Sequence, residues 1–337
     1  MELKIRNPYR VVGDLSCFLR LYCRQPNAYY ASPKRNVLNS AVSLAARVWG
    51  FRKLTRAAHR FFPVECGDGR VFTARDTNSQ YHSIYFDAYR DAYEPDVTSA
   101  LECFLNAGDV FVDVGSNWGH HTFYAVLEKG ASAVAFEPNP IVGDDLARVA
   151  GELGVSDRVT LHRAGVSDGE GTLRLSQNYF ESGVASIDDS FAAERKSEKL
   201  ISVCHRVLGL KPIVNEVPVV TLDSLALDRI DLMKVDAEGV ELAVFRGGRD
   251  TIARLRPRIC FEFHSADLST YDPFERFFAD LDYTLYEIAA EKKPSSPGVF
   301  DVALSPIAGP SLVAHRQYNI IAMPNEADLP DGVPTPD

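Results

Sequence analysis

Residues 109–119 read Asp-Val-Phe-Val-Asp113-Val-Gly115-Ser116-Asn117-Trp-Gly119: an apolar run that ends in an acid, turns on glycine and opens a helix. Gly115 permits a tight turn, and Gly119 permits close approach of helix and ligand. Eighteen residues after Gly119 a second apolar run ends in Phe136-Glu137-Pro138-Asn139. An acid there is placed to accept hydrogen bonds from two ribose hydroxyls. A phosphate-cradling P-loop is excluded, because no G-x-x-x-x-G-K-[ST] is present. A dinucleotide needs a second glycine where Asn117 stands, and its pyrophosphate would approach Asp113 at an energetic cost. S-adenosylmethionine fits better: it has no phosphate, carries a sulfonium and an ammonium that suit Asp113, and keeps a ribose for Glu137. The same residues also suit a plain βαβ turn whose acid caps a helix.

A second acidic edge follows at 230–239, Ile-Asp-Leu-Met-Lys234-Val-Asp236-Ala-Glu238-Gly239. Side chains two apart on a strand share a face, so Lys234 and Asp236, with Glu238 beyond them, converge at the strand end. The next apolar run ends Phe261-Glu262-Phe263-His264. Converging Asp, Glu and His suit general-base catalysis or a divalent metal. Methylating an alcohol needs removal of its proton, and His264 has the unperturbed pKa nearest neutrality. Asp236, Glu238 and His264 are therefore the catalytic candidates. No metal is assigned, because spacing alone does not set coordination geometry. Glu238 as a first-turn helix acid and His264 as a hydrogen-bonded strand end are the structural alternatives.

The elements that must position these residues alternate. Strands are expected at Val110–Val114, Ala133–Phe136, Val159–His162, Leu232–Val235, Arg258–Phe263, Tyr283–Ile288 and Asn319–Met323. Helices are expected from Pro95 to before Gly108, after Gly119, and over 141–153, 239–254 and 273–281. A hairpin is expected over 63–75, around Gly67-Asp68-Gly69. Alternating strands and helices indicate a doubly wound α/β fold with a mostly parallel sheet and ligands at its carboxyl edge. The polar stretch 176–216 reads as a long loop or lid.

The composition, 46% hydrophobic and 24% charged, is that of a globular chain, and six scattered Cys exclude a disulfide scaffold. No apolar run approaches the ~18–20 residues needed to span a bilayer, and no signal-peptide pattern opens the sequence; a cytoplasmic protein is expected. The net charge of −10 hides an asymmetry: residues 1–60 hold twelve Lys/Arg against Glu2 and Asp14. Within them, residues 37–62 have helical periodicity, with Arg47, Arg52, Lys53, Arg56 and Arg60 in the second half. That helix either packs on the main domain or rests on an anionic membrane surface. Nucleic acid is not an expected partner.

Taken as an ordered set, Gly108–Gly119, Val134–Pro140, Val219–Leu225, Asp231–Glu241 with Gly247-Gly248, and Arg256–Glu262 resemble the FkbM-type methyltransferases. Glu94-Pro95 is similar to the family's segment ahead of the first strand. The resemblance covers roughly residues 90–265. It implies a class I (Rossmann-like) methyltransferase fold with a seven-stranded sheet, using S-adenosylmethionine to methylate a hydroxyl of a sugar, glycan, glycolipid or natural product. Carried over by position, Asp113, Gly115, Asn117 and Gly119 would line the methionine half of the cofactor and Glu137 would bind its ribose. Glu94, Ser116 and Asn139 are counted with that set, and Asp236 would sit near the transferred methyl. Ser116 and Ala237 replace a common alanine and a common valine. Trp118, His120 and His121 stand where the family more often has aliphatic and aromatic residues, so the acceptor is left open.

The domain reading is a basic, mainly helical extension (1–62), a methyltransferase domain (63–325) and an acidic, Pro-rich, disordered tail (326–337). Two other functions compete: a metal-dependent glycosyltransferase using Asp236-x-Glu238, and a non-catalytic, membrane-associated cofactor-binding module.

Overall fold

The structure is a computed structural model that describes residues 1–12, 61–75, 81–85, 89, 91–178, 181–186, 213–237, 239–264, 271–307 and 317–330. The front part holds β1 (Glu2–Lys4), β2 (Arg10–Val11), β3 (Phe61–Glu65), β4 (Val71–Arg75) and the single-turn helix α1 (His82–Tyr85). The alternating part then runs α2 (Pro95–Phe104), β5 (Val110–Val114), α3 (His120–Leu127), β6 (Ser132–Phe136), α4 (Pro140–Glu152) and β7 (Val159–His162). Four strands follow: β8 (Gly165–Val166), β9 (Gly171–Asn178), β10 (Glu181–Ser186) and β11 (Ile213–Val220). The chain then alternates again through β12 (Leu232–Val235), α5 (Glu241–Arg246), α6 (Arg249–Leu255), β13 (Arg258–His264) and α7 (Asp272–Ala279). It closes with β14 (Tyr283–Lys292), β15 (Val299–Pro306) and β16 (Gln317–Pro324).

The main sheet has the order β1-β15-β14-β16-β13-β12-β5-β6-β7. Strands β7, β6, β5, β12 and β13 are parallel, and β16 enters antiparallel beside β13. This is the Rossmann-like, doubly wound class I arrangement. The expected seven strands are exceeded, because β15 and β1 extend the β14 edge. The core strands are apolar on both sides because helices cover both faces. Phe111, Ala133, Leu232 and Cys260 pack on the side of α2, α3 and α4. Val112, Met233, Ile259 and Phe261 pack on the side of α5, α6 and α7. On that second side α7 brings Phe274, Phe277 and Phe278 against Phe245 and Phe261, the i, i+3, i+4 stripe of an amphipathic helix.

Register decides what reaches the carboxyl edge. Lys234 lies beside Asp113 on one flank and Cys260 on the other, and Asp113 lies beside Ala135. Val114, Phe136 and Val235, each ending its strand, are therefore level with Phe261 of β13, and the residues just beyond them share one rim.

Several expectations are corrected. The helix expected over 239–254 is two helices, broken at Gly247-Gly248. Asp223 caps the second of them, accepting from Asp250 N (3.3 Å) and Thr251 N (2.8 Å), a contribution of about 1 kcal/mol for such caps. The stretch 176–216 is not one loop: its ends lie in a four-stranded sheet, β10-β9-β11-β8, with residues 187–212 outside the described residues. Of the segment 1–62, only residues 1–12 and 61–62 are described, and they contribute strands. Its first residues form β1, on the main sheet, and β2, which with β3 and β4 makes a separate three-stranded sheet. The basic helix expected in it lies outside the described residues. The tail is held as far as residue 330: Glu326 pairs with Arg256 at 2.7 Å, and Ala327 and Leu329 pack on the core.

Candidate active site

The turn after β5 is stitched to both neighbouring strands. Gly115 N and Ser116 N donate to Phe136 O, each at 3.0 Å, while Asp236 N donates to Val114 O at 3.0 Å. Gly115 has φ 78°, and a Cβ on it would stand 1.9 Å from the Asp236 carbonyl oxygen. Only glycine allows this approach. Asn117 is also left-handed, φ 56°, and its side-chain carbonyl accepts from Trp118 N at 2.7 Å. Gly119, φ 97°, opens α3 against the Phe123 ring.

Glu137 closes the other side of this turn. Its carboxylate accepts from Asn117 N (2.9 Å) and Asn139 N (2.7 Å). Burial pushes the carboxyl up to about 7, against those two N–H donors, which favour its charged form. Asn139 caps α4 by accepting from Ile141 N at 3.1 Å, with Pro140 in the first turn.

Behind the turn lies a lysine among carboxylates. Asp113 is buried and accepts from Thr122 Oγ1 at 2.6 Å through Oδ2. Its Oδ1 receives no hydrogen bond and lies 3.8 Å from Lys234 Nζ. The Lys234 ammonium, also buried, reaches Asp236 Oδ2 at 3.2 Å. Burial works against the Lys234 charge, but Asp236, Asp113 and Glu94 together hold its pKa above the ordinary lysine value. Burial raises Asp113, and Lys234 and Thr122 oppose that rise. Burial also pushes Glu94 up to about 7, with Lys234 opposing. His121 Nε2 lies 3.8 Å from Glu94 Oε2, and burial lowers its pKa well below the usual histidine range. The ring is therefore neutral near pH 7.

Two adjoining clefts open on this cluster. One lies over the glycine turn between Gly115–Trp118, Tyr93 and the two histidines. The other lies between the start of α2 and strands β12, β13 and β16, where Cys260, Glu262 and Asn319 line it. Glu94, Lys234 and Asp236 line both.

Of the expected cofactor residues, Glu94, Gly115, Ser116 and Asn117 line the first cleft. Asp113, Gly119, Glu137 and Asn139 do not: they stand behind it, Asp113 under Lys234 and the others shaping the turn. Of the catalytic candidates, Asp236 is at the rim of both clefts. Glu238 and the side chain of His264 lie outside the described residues. Glu241, not counted in the candidate set, shapes the acidic turn by accepting from Ala237 N and Gly239 N, each at 3.0 Å. Lys234, Tyr93 and His121 were also outside that set. Among the described residues, no group of three or more His, Cys, Asp or Glu could hold a metal ion.

An aromatic cluster braces the turn from outside. Trp118 packs on Tyr9, Phe72, Tyr81 and His120, with ring centroids 5.0–5.7 Å apart. Trp118 Nε1 donates to Ser83 Oγ (3.1 Å), and the Tyr9 hydroxyl donates to His120 O (2.9 Å).

The family model described as the methyltransferase FkbM domain matches residues 103–285. The methyltransferase sdnD of Sordaria araneosa is 29% identical over 163 residues, 42% of this chain and 61% of that protein. The chain thus spans less than two thirds of that curated relative. Among solved structures, the FkbM methyltransferase of Methylobacillus flagellatus KT is 15% identical, covering 64% of this chain and 43% of that chain with a TM-score of 0.37. The precorrin-6y C5,15-methyltransferase of Geobacter metallireducens GS-15 is 16% identical, covering 69% and 89%, with a TM-score of 0.34. A methyltransferase family model takes in β5, the glycine turn, Glu137 and the Lys234–Asp236 rim together, which sets aside the glycosyltransferase reading of Asp236-x-Glu238. With the match extending over more than half its length, the chain belongs to the FkbM methyltransferase family.

Proposed function

We propose that this protein transfers a methyl group from S-adenosylmethionine to a hydroxyl of a sugar, glycan, glycolipid or natural product. The observation that carries the reading is the charge balance over the glycine turn: Glu94, Asp113 and Asp236 surround a single ammonium. When ionised they leave a surplus of negative charge, which attracts a sulfonium and repels a diphosphate. The Asp113 oxygen that receives no hydrogen bond fits the same reading. S-adenosylmethionine bound there supplies an electrophilic methyl group on a positively charged sulfur. Backbone of 115–117, with Tyr93 opposite, would hold its amino-acid end. Glu137 would hold the ribose, since each carboxylate oxygen retains acceptor capacity beyond its one backbone N–H. Lys234 fixes the Asp236 carboxylate at the mouth of the second cleft, where an acceptor would enter. Positioning two partners in line contributes most of the rate gain in such transfers.

Calorimetric titration of the folded chain with S-adenosylmethionine and with its demethylated product is expected to show binding of both. Mass spectrometry of glycan and glycolipid extracts incubated with protein and cofactor is then expected to show a product heavier by one methyl. No heat with either ligand would remove the basis of this reading, and would favour a module that does no chemistry.

The basic segment extends the proposal. No helix among the described residues is long and apolar enough to cross a membrane. The +10 balance of residues 1–60 suits docking on an anionic lipid surface. Binding to phosphatidylserine vesicles is expected to fall steeply with salt and to be lost when Arg47, Arg52, Lys53, Arg56 and Arg60 become glutamine. Equal binding by that variant would refute the docking.

A further inference from the structure

Glu94 stands where the two clefts meet, and its backbone is held in an unusual state. It has φ 42° and ψ 68°, the left-handed region that a non-glycine side chain disfavours. Such a conformation persists where the surroundings over-determine it, and it concentrates at functional positions. Here the carbonyl accepts from Thr98 N at 2.9 Å, Pro95 opens α2 immediately afterwards, and the Tyr93 hydroxyl bonds to the carboxyl group. The carboxyl is faced by Tyr93 from its own segment, Lys234 and Asp236 from β12, Asp113 from β5, His121 from α3 and Cys260 from β13. None of these gives Glu94 a charge partner of its own. His121 is neutral, and Lys234 is shared with two other carboxylates.

We infer that Glu94 is the group that receives the acceptor's proton, and that the arrival of the cofactor's positive sulfur is what ionises it for that task. The inference rests on the function proposed above. Glu94 takes the hydroxyl proton while an oxygen lone pair forms the new bond to the methyl carbon. The carbon–sulfur bonding pair stays on sulfur, and the proton then leaves Glu94 for solvent. The positive charge at sulfur and the negative charge at Glu94 disappear in one step, so the cleft never holds an unmatched new charge. Asp236, bound to the Lys234 ammonium, instead orients the acceptor.

The sign of the linkage follows. In the free protein burial holds the Glu94 carboxyl near pH 7, so much of the population carries a proton there. A cation placed beside it favours the carboxylate, and binding expels that proton. The demethylated product shares the adenosine and amino-acid portions but has an uncharged sulfur. Protons displaced elsewhere, at Glu137 for example, are common to both ligands and cancel in the difference.

The test is calorimetry of the full chain in two buffers of different ionisation enthalpy, with S-adenosylmethionine and with the demethylated product. At about pH 6.5, S-adenosylmethionine is expected to release about half a proton more than the product, and the excess is expected to vanish by about pH 8.5, where Glu94 is already ionised. Glu94→Gln is expected to bind both ligands with no excess. Equal proton counts for the two ligands in the unaltered protein would overturn the inference without needing any variant. So would an excess that survives in Glu94→Gln. Absence of binding by either ligand strikes at the cofactor reading instead.

Discussion

Lys234→Met is expected to destabilise the protein by about 3–5 kcal/mol, the range for removing one partner of a buried ion pair. Methionine matches the lysine stem in length and tolerates the apolar surroundings. What is lost is the ammonium 3.2 Å from Asp236 and 3.8 Å from Asp113. Asp113 is 1% exposed and is left with Thr122 as its hydrogen-bond donor. Its carboxyl, already raised by burial, rises further once Lys234 no longer opposes that rise. A carboxyl raised in the folded state withdraws stability as pH climbs through its folded pKa. The deficit of Lys234→Met is therefore largest near neutrality and narrows toward pH 4, where Asp113 takes up a proton. Adding Asp113→Asn removes the stranded charge and is expected to recover much of the loss. Urea denaturation of the three proteins at two pH values reads all of this. A deficit below about 1 kcal/mol at pH 7 would show that the cluster is solvated enough to need no cation.

Gly115→Ala is expected to slow methyl transfer ~100-fold, the effect of misplacing bound partners by about 1 Å, and to weaken binding of the demethylated cofactor product. Two costs act together. Alanine at φ 78° carries roughly 1–2 kcal/mol of backbone strain. Its Cβ would also fall 1.9 Å from the Asp236 carbonyl oxygen, so the end of β12 must retreat. That retreat moves Asp236 and loosens its bond to Lys234, the rim shared by both clefts. Gly151→Ala is the matched control: it lies near the end of α4 with nothing within 4 Å of its would-be Cβ. There alanine is expected to add up to about 1 kcal/mol of stability and leave binding unchanged. Similar affinities for the two variants would mean that the glycine turn does not shape the ligand site.

The parts of this site that depend on local sequence were readable in advance. Strands β5, β7 and β12 are short apolar runs bounded by polar residues, and the structure places them over Val110–Val114, Val159–His162 and Leu232–Val235. The glycine turn and Glu137 declare themselves because the backbone there admits few other residues. The charge at the centre was harder to see. Lys234 and Asp113 are far apart in the chain, and only the β5–β12 register makes them neighbours. Until that pairing is known, Lys234 is a strand lysine that shares a face with Asp236, and Asp113 a residue that should meet ligand directly. Glu94 was legible as a member of the site, but its place between two clefts depends on how α2 packs over β13 and β16. β15 carries its alternation openly, with Phe300, Val302 and Leu304 inward, yet its partner β1 is three residues long and too short to show a period. The strands within 171–220 were hidden by polar residues that a half-exposed antiparallel sheet accepts.

The pairing of β2 with β3 bears on how the basic stretch can be studied. Arg10 lies opposite Glu65, Val11 opposite Val64, and Val12 N donates to Pro63 O at 2.9 Å. The chain therefore departs at residue 13 and returns at residue 60 to adjoining rungs of the same ladder. A short connector can be spliced across that gap, and by loop-closure entropy it would ease the join by about 2 kcal/mol. Amputating everything from the first residue onward would instead strip away Tyr9, which rests on Trp118, and with it the outer buttress of the glycine turn.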